Sequence, residues 1–400
     1  MKVIENRYLL PFVLVTSLFA LWGLANNMTD TLLAAFRKIM QMNDTQTSLI
    51  QMAFYGAYFC LALPAALFIR KYSFKSGIIL GLCLYALGAI LFLPAASIES
   101  YAFYLIAIYI MAAGCSVLET TANPYIMSMG SSETATMRLN IAQSFNPIGS
   151  ILGIIVSKYF ILQDISLYSV SGTYAAVGGV LLVIMTIMLF ARMPEGRDTD
   201  KQDSLKATVL RLTRNKRYIW GVIAQFFYVG AQIGVWSFTI RLVMKELEMI
   251  ESQAASLYLI SIIGFCASRF IYTWLMKYIA PQKLLATSAI LSSICALLVV
   301  LTNGWFCVIA LIFVSLFMSL MFPTIYGLAL GSVSNDGEHA KDVKIGASGL
   351  IMAILGGALL TPLQGMVSDS YGINISYLVP TVCFLVVFIF AFSSRKTLTL

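Results

Sequence analysis

The chain has 400 residues, of which 60% are hydrophobic and only 11% charged, with a formal net charge of +8. No soluble globular class has this profile, whereas a polytopic helical membrane protein does. The positive charge does not read as nucleic-acid binding, because the basic residues fall in short loops between apolar runs. The seven cysteines all lie inside apolar runs and none shows C-x-x-C spacing. Neither a disulfide framework nor a metal site is indicated, and they read as small packing residues.

Taken in order, apolar segments fall at about 8–38, 46–69, 76–97, 101–128, 139–163 and 170–191, then 218–245, 253–276, 283–302, 304–331, 345–368 and 373–392. The first carries no A-x-A site after it and reads as a span rather than a cleaved leader. Residues 192–217 form the one long polar segment. The fold class expected is therefore all-α and membrane-integral, with twelve transmembrane helices. Its organisation is an N-terminal six-helix half (1–191), a cytoplasmic linker (192–217) and a C-terminal six-helix half (218–400).

Orientation follows from the loops. With the N-terminus inside, about 20 of the Lys and Arg residues lie in inside loops, among them Arg70, Lys71, Lys75 and the basic residues of the linker. The opposite loops hold only Arg37, Lys38, Lys158, Arg241 and Lys245. Both termini are expected in the cytoplasm, with the chain spanning the cell inner membrane.

The halves echo each other. A-N-P-Y-I (Ala122–Ile126) in the fourth span corresponds to M-F-P-T-I (Met321–Ile325) in the tenth, and Arg138–Gln143 to Lys344–Ser348. An offset of about 200 residues serves both pairs, as in transporters built from parallel repeats.

The first span holds W-G-L-A-N-N-M-T-D (Trp22–Asp30). Asn26, Asn27 and Asp30 share one helical face by i, i+3, i+4 spacing. Asn26 and Asn27 suit either helix–helix hydrogen bonding or ligand contact. Asp30 is a protonatable acid of the kind a proton relay requires. The fourth span holds Glu119 far from either end, and Asn123 follows one turn on. An acid there costs roughly 2.5–3.5 kcal/mol on insertion scales, so it is expected to face a water-filled cavity or to pair with a buried base. Pro124 should bend this helix. Asp30 and Glu119 each lie about 12 Å from the end of their spans. Because the spans run in opposite directions, Asp30 is placed nearer the outside.

The fifth span carries Asn140, Gln143 and Asn146 every three residues, with Pro147 beside them and Gly149 and Gly153 following. Amides give donors and acceptors to a polyhydroxylated ligand without adding charge. In the seventh span Gln225, Gln232 and Trp236 combine amides with an indole, a pairing that suits a sugar. Trp236 is equally explained as packing. Arg269 reads as structural, snorkelling or bracing a neighbouring helix. His339 is the single histidine and lies in a loop, which excludes a histidine relay.

W-G-L-A-N-N-M-T-D, L-E-T-T-A-N-P, R-L-N-I-A-Q-S-F-N and Y-V-G-A-Q-I-G-V-W-S-F resemble the bacterial L-fucose permeases. These are sugar–proton symporters in the fucose/glucose/galactose branch of the major facilitator superfamily. The resemblance runs from about Arg7 to Phe392. It implies that Asp30 and Glu119 couple the proton, and that Gln143, Asn146 and Trp22 serve the sugar. Asn27, Asn123, Gln232 and Trp236 complete the candidate substrate set. Relatives selective for glucose and galactose tend to carry an acid where Gln232 stands. Phe322 departs from the tyrosine of the fucose branch, and Arg70-Lys71-Tyr72 from the usual Gly-Asp-Arg type signature.

The function expected is import of a monosaccharide, with L-fucose the sugar the resemblance indicates, by alternating access. The ligand would bind between the halves. The alternatives are a glucose/galactose-type symporter and, further off, a proton-driven efflux antiporter, whose pocket would be more apolar. A membrane enzyme is opposed by the absence of a His pair and of acidic pairs within the apolar runs. No cofactor is expected, the proton being the coupling ion, and no nucleic-acid partner. The remaining partners are the sugar and the lipid bilayer, with the chain a monomer.

Overall fold

A computed structural model describes residues 3–41, 44–161, 166–194, 204–334 and 342–394. Some side chains inside helices, Asn26 and Asp30 among them, lie outside the described residues. The described residues form helices and turns, with twelve segments long and apolar enough to cross a membrane.

The first four spans are α1 (Leu9–Ile39), α2 (Asp44–Lys71), α3 (Phe74–Ile90) continued by α4 (Phe92–Ile98), and α5 (Tyr101–Ser128). The fifth is split into α6 (Ala135–Gln143) and α7 (Asn146–Phe160), and the sixth is α8 (Leu167–Phe190). The polar linker contains α9 (Leu205–Arg214). Then follow α10 (Lys216–Leu247), α11 (Glu251–Leu275) and α12 (Pro281–Leu301). The tenth span divides into α13 (Gly304–Met318) and α14 (Met321–Ser334), and the eleventh into α15 (Val343–Met352) and α16 (Leu355–Tyr371). The twelfth is α17 (Ile373–Ser376) with α18 (Leu378–Ser393).

Local chemistry sets where these helices begin. Ser73, Ser100, Ser166 and Asn215 each accept a hydrogen bond from a first-turn backbone N–H, of Ser76, Phe103, Ser169 and Tyr218 respectively. These are N-caps, which satisfy donors the helix leaves unpaired. At the other end of α8, the Lys75 ammonium donates to the carbonyls of Leu189 and Ala191, both at 2.8 Å. A cation in the first turn of α3 thus neutralises the C-terminus of α8.

Prolines act less uniformly than the sequence indicates. α5 runs without interruption through Pro124. In the fifth span the helical hydrogen bonding is interrupted: α6 stops at Gln143 and α7 starts at Asn146, with Pro147 in its first turn. Proline lacks an N–H and pushes its predecessor out of helical geometry, but both are tolerated at a helix start. The stripe of Asn140, Gln143 and Asn146 is therefore divided between two helices.

Two compact units emerge. One comprises residues 1–132, 145–204 and 338–352, so it holds α1 to α5, α7, α8 and α15. The other comprises residues 133–144, 205–337 and 353–400, and holds α6, α9 to α14 and α16 to α18. The two short helices α6 and α15 each pack with helices from the other half of the sequence. α15 lies on α2 and α5, and α6 on α14 and α11. Arg138 and Lys344, which open the repeated motifs, are buried in α6 and α15. Arg138 donates to Thr134 Oγ1 at 2.6 Å, and the Lys344 ammonium lies 4.8 Å above the Phe74 ring.

Within each unit, glycines let backbones touch, as membrane helix interfaces do. A Cβ on Gly149 would fall 1.7 Å from the Ala20 carbonyl oxygen, and one on Gly23 2.0 Å from that of Asn146. α1 and α7 are thereby in backbone contact. In the second unit a Cβ on Gly356 would fall 1.9 Å from the Phe226 carbonyl oxygen, joining α16 to α10. The two contacts are related by the same offset of about 200 residues that the sequence repeat shows.

A Gly149→Ala substitution must push α1 from α7, and we expect a loss of about 1–3 kcal/mol. Gly172→Ala, at a site with nothing within 4 Å, should lose nothing. Equal melting temperatures for the two purified variants in detergent would contradict this packing.

Candidate functional site

In the first unit, the site is built on α5. Glu119 is 2% exposed, and neither carboxylate oxygen accepts a hydrogen bond from the described residues. Among the described residues no buried base pairs with it, which favours the cavity-facing alternative. It lines a cavity with Leu18, Phe19 and Trp22 of α1 and Leu118 and Ala122 of α5. The enclosed space has room for about one water molecule and not for a sugar. The walls are apolar and aromatic apart from the acid.

α5 is held rigidly behind this acid. A Cβ on Gly114 would meet Tyr85 N at 2.3 Å, and one on Gly81 would meet the Leu118 side chain at 2.7 Å. With α3 backing it so closely, α5 cannot rotate Glu119 away from the cavity without losing this contact.

Trp22 is fixed from two sides. Its indole N–H donates to the Tyr58 hydroxyl of α2, and the Tyr85 hydroxyl donates to the adjacent Leu21 carbonyl at 3.1 Å. Tyr58 is a functional neighbour that sequence reading missed. It is one of 20 tyrosines and stands in no polar spacing pattern.

The remaining candidates in this unit are placed as follows. Asn123 is fully buried one turn beyond Glu119. The Asn146 amide donates to the Phe19 carbonyl at 3.3 Å, which brings the start of α7 to the cavity-lining stretch of α1. The Asn27 amide donates to the Gly23 carbonyl of its own helix at 3.4 Å. The Asp30 side chain lies outside the described residues.

The second unit carries a separate polar cluster. Arg269 of α11 is buried, not snorkelling. Its Nε donates to the Ser319 carbonyl at 2.6 Å and its Nη1 to the Gln143 carbonyl at 2.8 Å. Ser319 follows the last residue of α13, and Gln143 is the last residue of α6. Both carbonyls stand at helix breaks, where no backbone N–H one turn on is available. The guanidinium thus sits against two helix C-termini, whose dipoles favour a cation. Its face lies 4.7 Å from the Phe265 ring, which in turn meets Trp236 edge-on at 5.0 Å.

Gln143 itself is buried. The Trp236 indole N–H is buried and finds no acceptor among the described residues. Gln232 lies one turn before it, half-buried. Gln225, further from Trp236 in α10, has both amide atoms buried without a partner among the described residues. Asn140 is used structurally, donating to Thr324 Oγ1 at 3.2 Å and to the Thr136 carbonyl at 2.9 Å. The structure therefore brings Trp22, Glu119, Asn123 and Asn146 together in one unit. It gathers Gln143, Trp236 and Arg269 in the other.

A twelve-helix membrane chain with an unpaired intramembrane acid, and paired units built from one repeat, is a secondary transporter in architecture. Residues 13–341 match the Major Facilitator Superfamily, and the chain belongs to that family. It is 41% identical to the L-fucose-proton symporter of Haemophilus influenzae, with 99% of each chain covered. It is 31% identical to the glucose/galactose transporter of Brucella abortus, covering 95% of this chain and 93% of that one. Among solved structures it resembles FucP, a Major Facilitator Superfamily transporter in the outward conformation. That match has a TM-score of 0.88 and 37% identity over 97% of this chain and 99% of that chain.

The double role of Arg269 is testable. Arg269→Met strands two buried carbonyls, and a hydrogen bond to a charged group contributes about 1.5–3 kcal/mol. We expect a clearly lower melting temperature, with Arg269→Lys falling between because an ammonium lacks the planar fork. Unchanged melting in both variants would show that other groups satisfy these carbonyls.

Proposed function

We propose that this chain is a proton-coupled symporter that imports L-fucose by alternating access. The observation that carries the reading is Glu119: a buried carboxylate without a partner, in a small cavity, beside an indole. An acid in that setting is costly to keep ionised, and taking up a proton removes the cost. The similarity to the Haemophilus influenzae symporter over both full lengths supports L-fucose as the sugar. Gln232, where glucose/galactose relatives tend to carry an acid, also favours L-fucose. Phe322 and the Brucella abortus relative keep a glucose- or galactose-type substrate as the second reading.

The division of labour follows from depth. Asp30, nearer the outer face, loads the proton while the site is open outward. Glu119 senses the sugar and passes the proton inward. Asn146, Gln143, Trp22, Asn27, Asn123, Gln232 and Trp236 bind the sugar. Trp22 and Trp236 present aromatic faces to its C–H surfaces, and the amides bond its hydroxyls. The proton is the only coupling species, with no cofactor. The chain works as a monomer in the cell inner membrane with both termini in the cytoplasm. Accessibility of a tag at Leu400 to an impermeant outside label in intact cells would overturn that orientation.

Asn at position 30 and Gln at position 119 imitate the protonated acids. Asp30→Asn should still exchange sugar in counterflow but fail to accumulate it under an inward proton gradient. Glu119→Gln should keep exchange and lose its dependence on pH. Both assays belong in proteoliposomes over about pH 5.5–8.5, around neutrality. Gradient-driven accumulation by Asp30→Asn would remove it from the coupling path.

The amides are tested by affinity. Asn146→Ala and Gln143→Ala should each weaken sugar binding by about 1–3 kcal/mol, the cost of leaving buried groups unpaired. Calorimetric titration of purified variants with L-fucose reads this directly. Unchanged affinity in both would place the sugar elsewhere.

A further inference from the structure

We propose that Tyr58 is a positioning residue of the transport reaction, transmitting the protonation state of Glu119 to the Trp22 indole. The proposal rests on the reading of Glu119 and Trp22 given above. Tyr58 is buried on α2, and its backbone carbonyl accepts from Ser116 Oγ of α5 at 3.3 Å. That bond sets Tyr58 opposite the turn of α5 just before Glu119, because residues three apart share a helix face. From there its side chain reaches Trp22, whose indole N–H it accepts, and Trp22 lines the same cavity as Glu119.

The donor inventory makes this arrangement directional. An indole has a donor and no acceptor, so Tyr58 is the acceptor in that bond. Its own hydroxyl hydrogen remains to be given away. Among the described residues, the Cys115 thiol is an electrostatic neighbour of Tyr58, and thiols accept weakly. One turn further along the same helix, Glu119 has two oxygens with no hydrogen-bond partner among the described residues. When Glu119 is ionised, the hydroxyl turns to the carboxylate. A hydroxyl that donates strongly also accepts more strongly, so the indole is held tighter. When Glu119 takes up a proton, the hydroxyl lets go and the tie on Trp22 loosens. No covalent bond changes, and the proton stays on the acid.

Few other groups can imitate this. Facing Glu119 and Tyr58 are Tyr85 from α3 and Cys115 from α5. α15 offers Lys344, which is engaged over Phe74, and α1 offers Asp30, whose side chain lies outside the described residues.

The test uses the full chain labelled with 5-fluorotryptophan. It has five tryptophans, and the Trp22 resonance is assigned by its loss in Trp22→Phe. In ¹⁹F NMR over about pH 5.5–8.5, the Trp22 signal should titrate, and Glu119→Gln should abolish that titration. Tyr58→Phe should reduce its amplitude at least about threefold. A purely packing role for Tyr58 leaves the titration unchanged. As a second variant, 3-chlorotyrosine at position 58 is a stronger donor of nearly the same shape and should shift the titration midpoint. Titration lost in Glu119→Gln but unchanged in Tyr58→Phe, or unmoved by chlorotyrosine, overturns the Tyr58 link and leaves Glu119 as proton carrier. Titration unchanged in Glu119→Gln overturns the reading of Glu119 together with the link.

Discussion

An ionised carboxylate inside an apolar helix bundle needs something to offset its lost hydration. Structural acids find it in a buried base or in several N–H donors. Among the described residues Glu119 has neither. A proton, or water arriving in the cavity it lines, relieves it. Much of the first unit is arranged around keeping it there. Glycine contacts press α3 against α5, and Gly149 and Gly23 press α7 against α1, which carries Trp22. With backbones this close, a wall of the cavity moves only if a whole helix moves. The thermodynamic use is plain. One charge crossing a potential of 100 mV supplies about 2.3 kcal/mol, a gradient of roughly 50-fold at 1.4 kcal/mol per tenfold.

Helix breaks are the second device. The fifth, tenth and eleventh spans each stop and restart, and α6 and α15 each pack with the opposite half of the sequence. A break within a membrane frees carbonyls that lipid cannot satisfy, so protein must. Arg269 does this for two breaks at once, from a helix with no break of its own. In doing so it anchors Gln143, one of the amides assigned to the sugar. Its partners are dipoles rather than a carboxylate. The second unit thus holds a fixed positive charge where the first holds an acid that can be neutralised.

The architecture was legible because it rests on length and periodicity. Twelve apolar runs, one polar gap and a repeated proline register are properties of the chain read in one dimension. Glu119 was legible for the opposite reason: a lone acid in such a run stands out whatever its neighbours are. What escaped was whatever depends on neighbours across helices. Tyr58 is one tyrosine among many until the indole of Trp22 is seen to meet it. Arg269 reads as either snorkelling or bracing a neighbouring helix from its distance to the span end, and only its carbonyl partners decide for bracing. Asn140, in step with Gln143 and Asn146, looked like part of one stripe. Pro147 divides that stripe, and Thr324 and the Thr136 carbonyl use the Asn140 amide. Pro124, by contrast, lies inside a continuous α5.

The most direct measurement follows protons rather than sugar. De-energised vesicles containing the protein are suspended in weak buffer, and L-fucose is added outside while external pH is recorded. If Glu119 and Asp30 carry a proton inward with each sugar, the medium turns alkaline on addition. The signal should collapse with a protonophore and be absent in Asp30→Asn. Entry of labelled L-fucose with no change in external pH, or an acidification, would contradict coupling by symport.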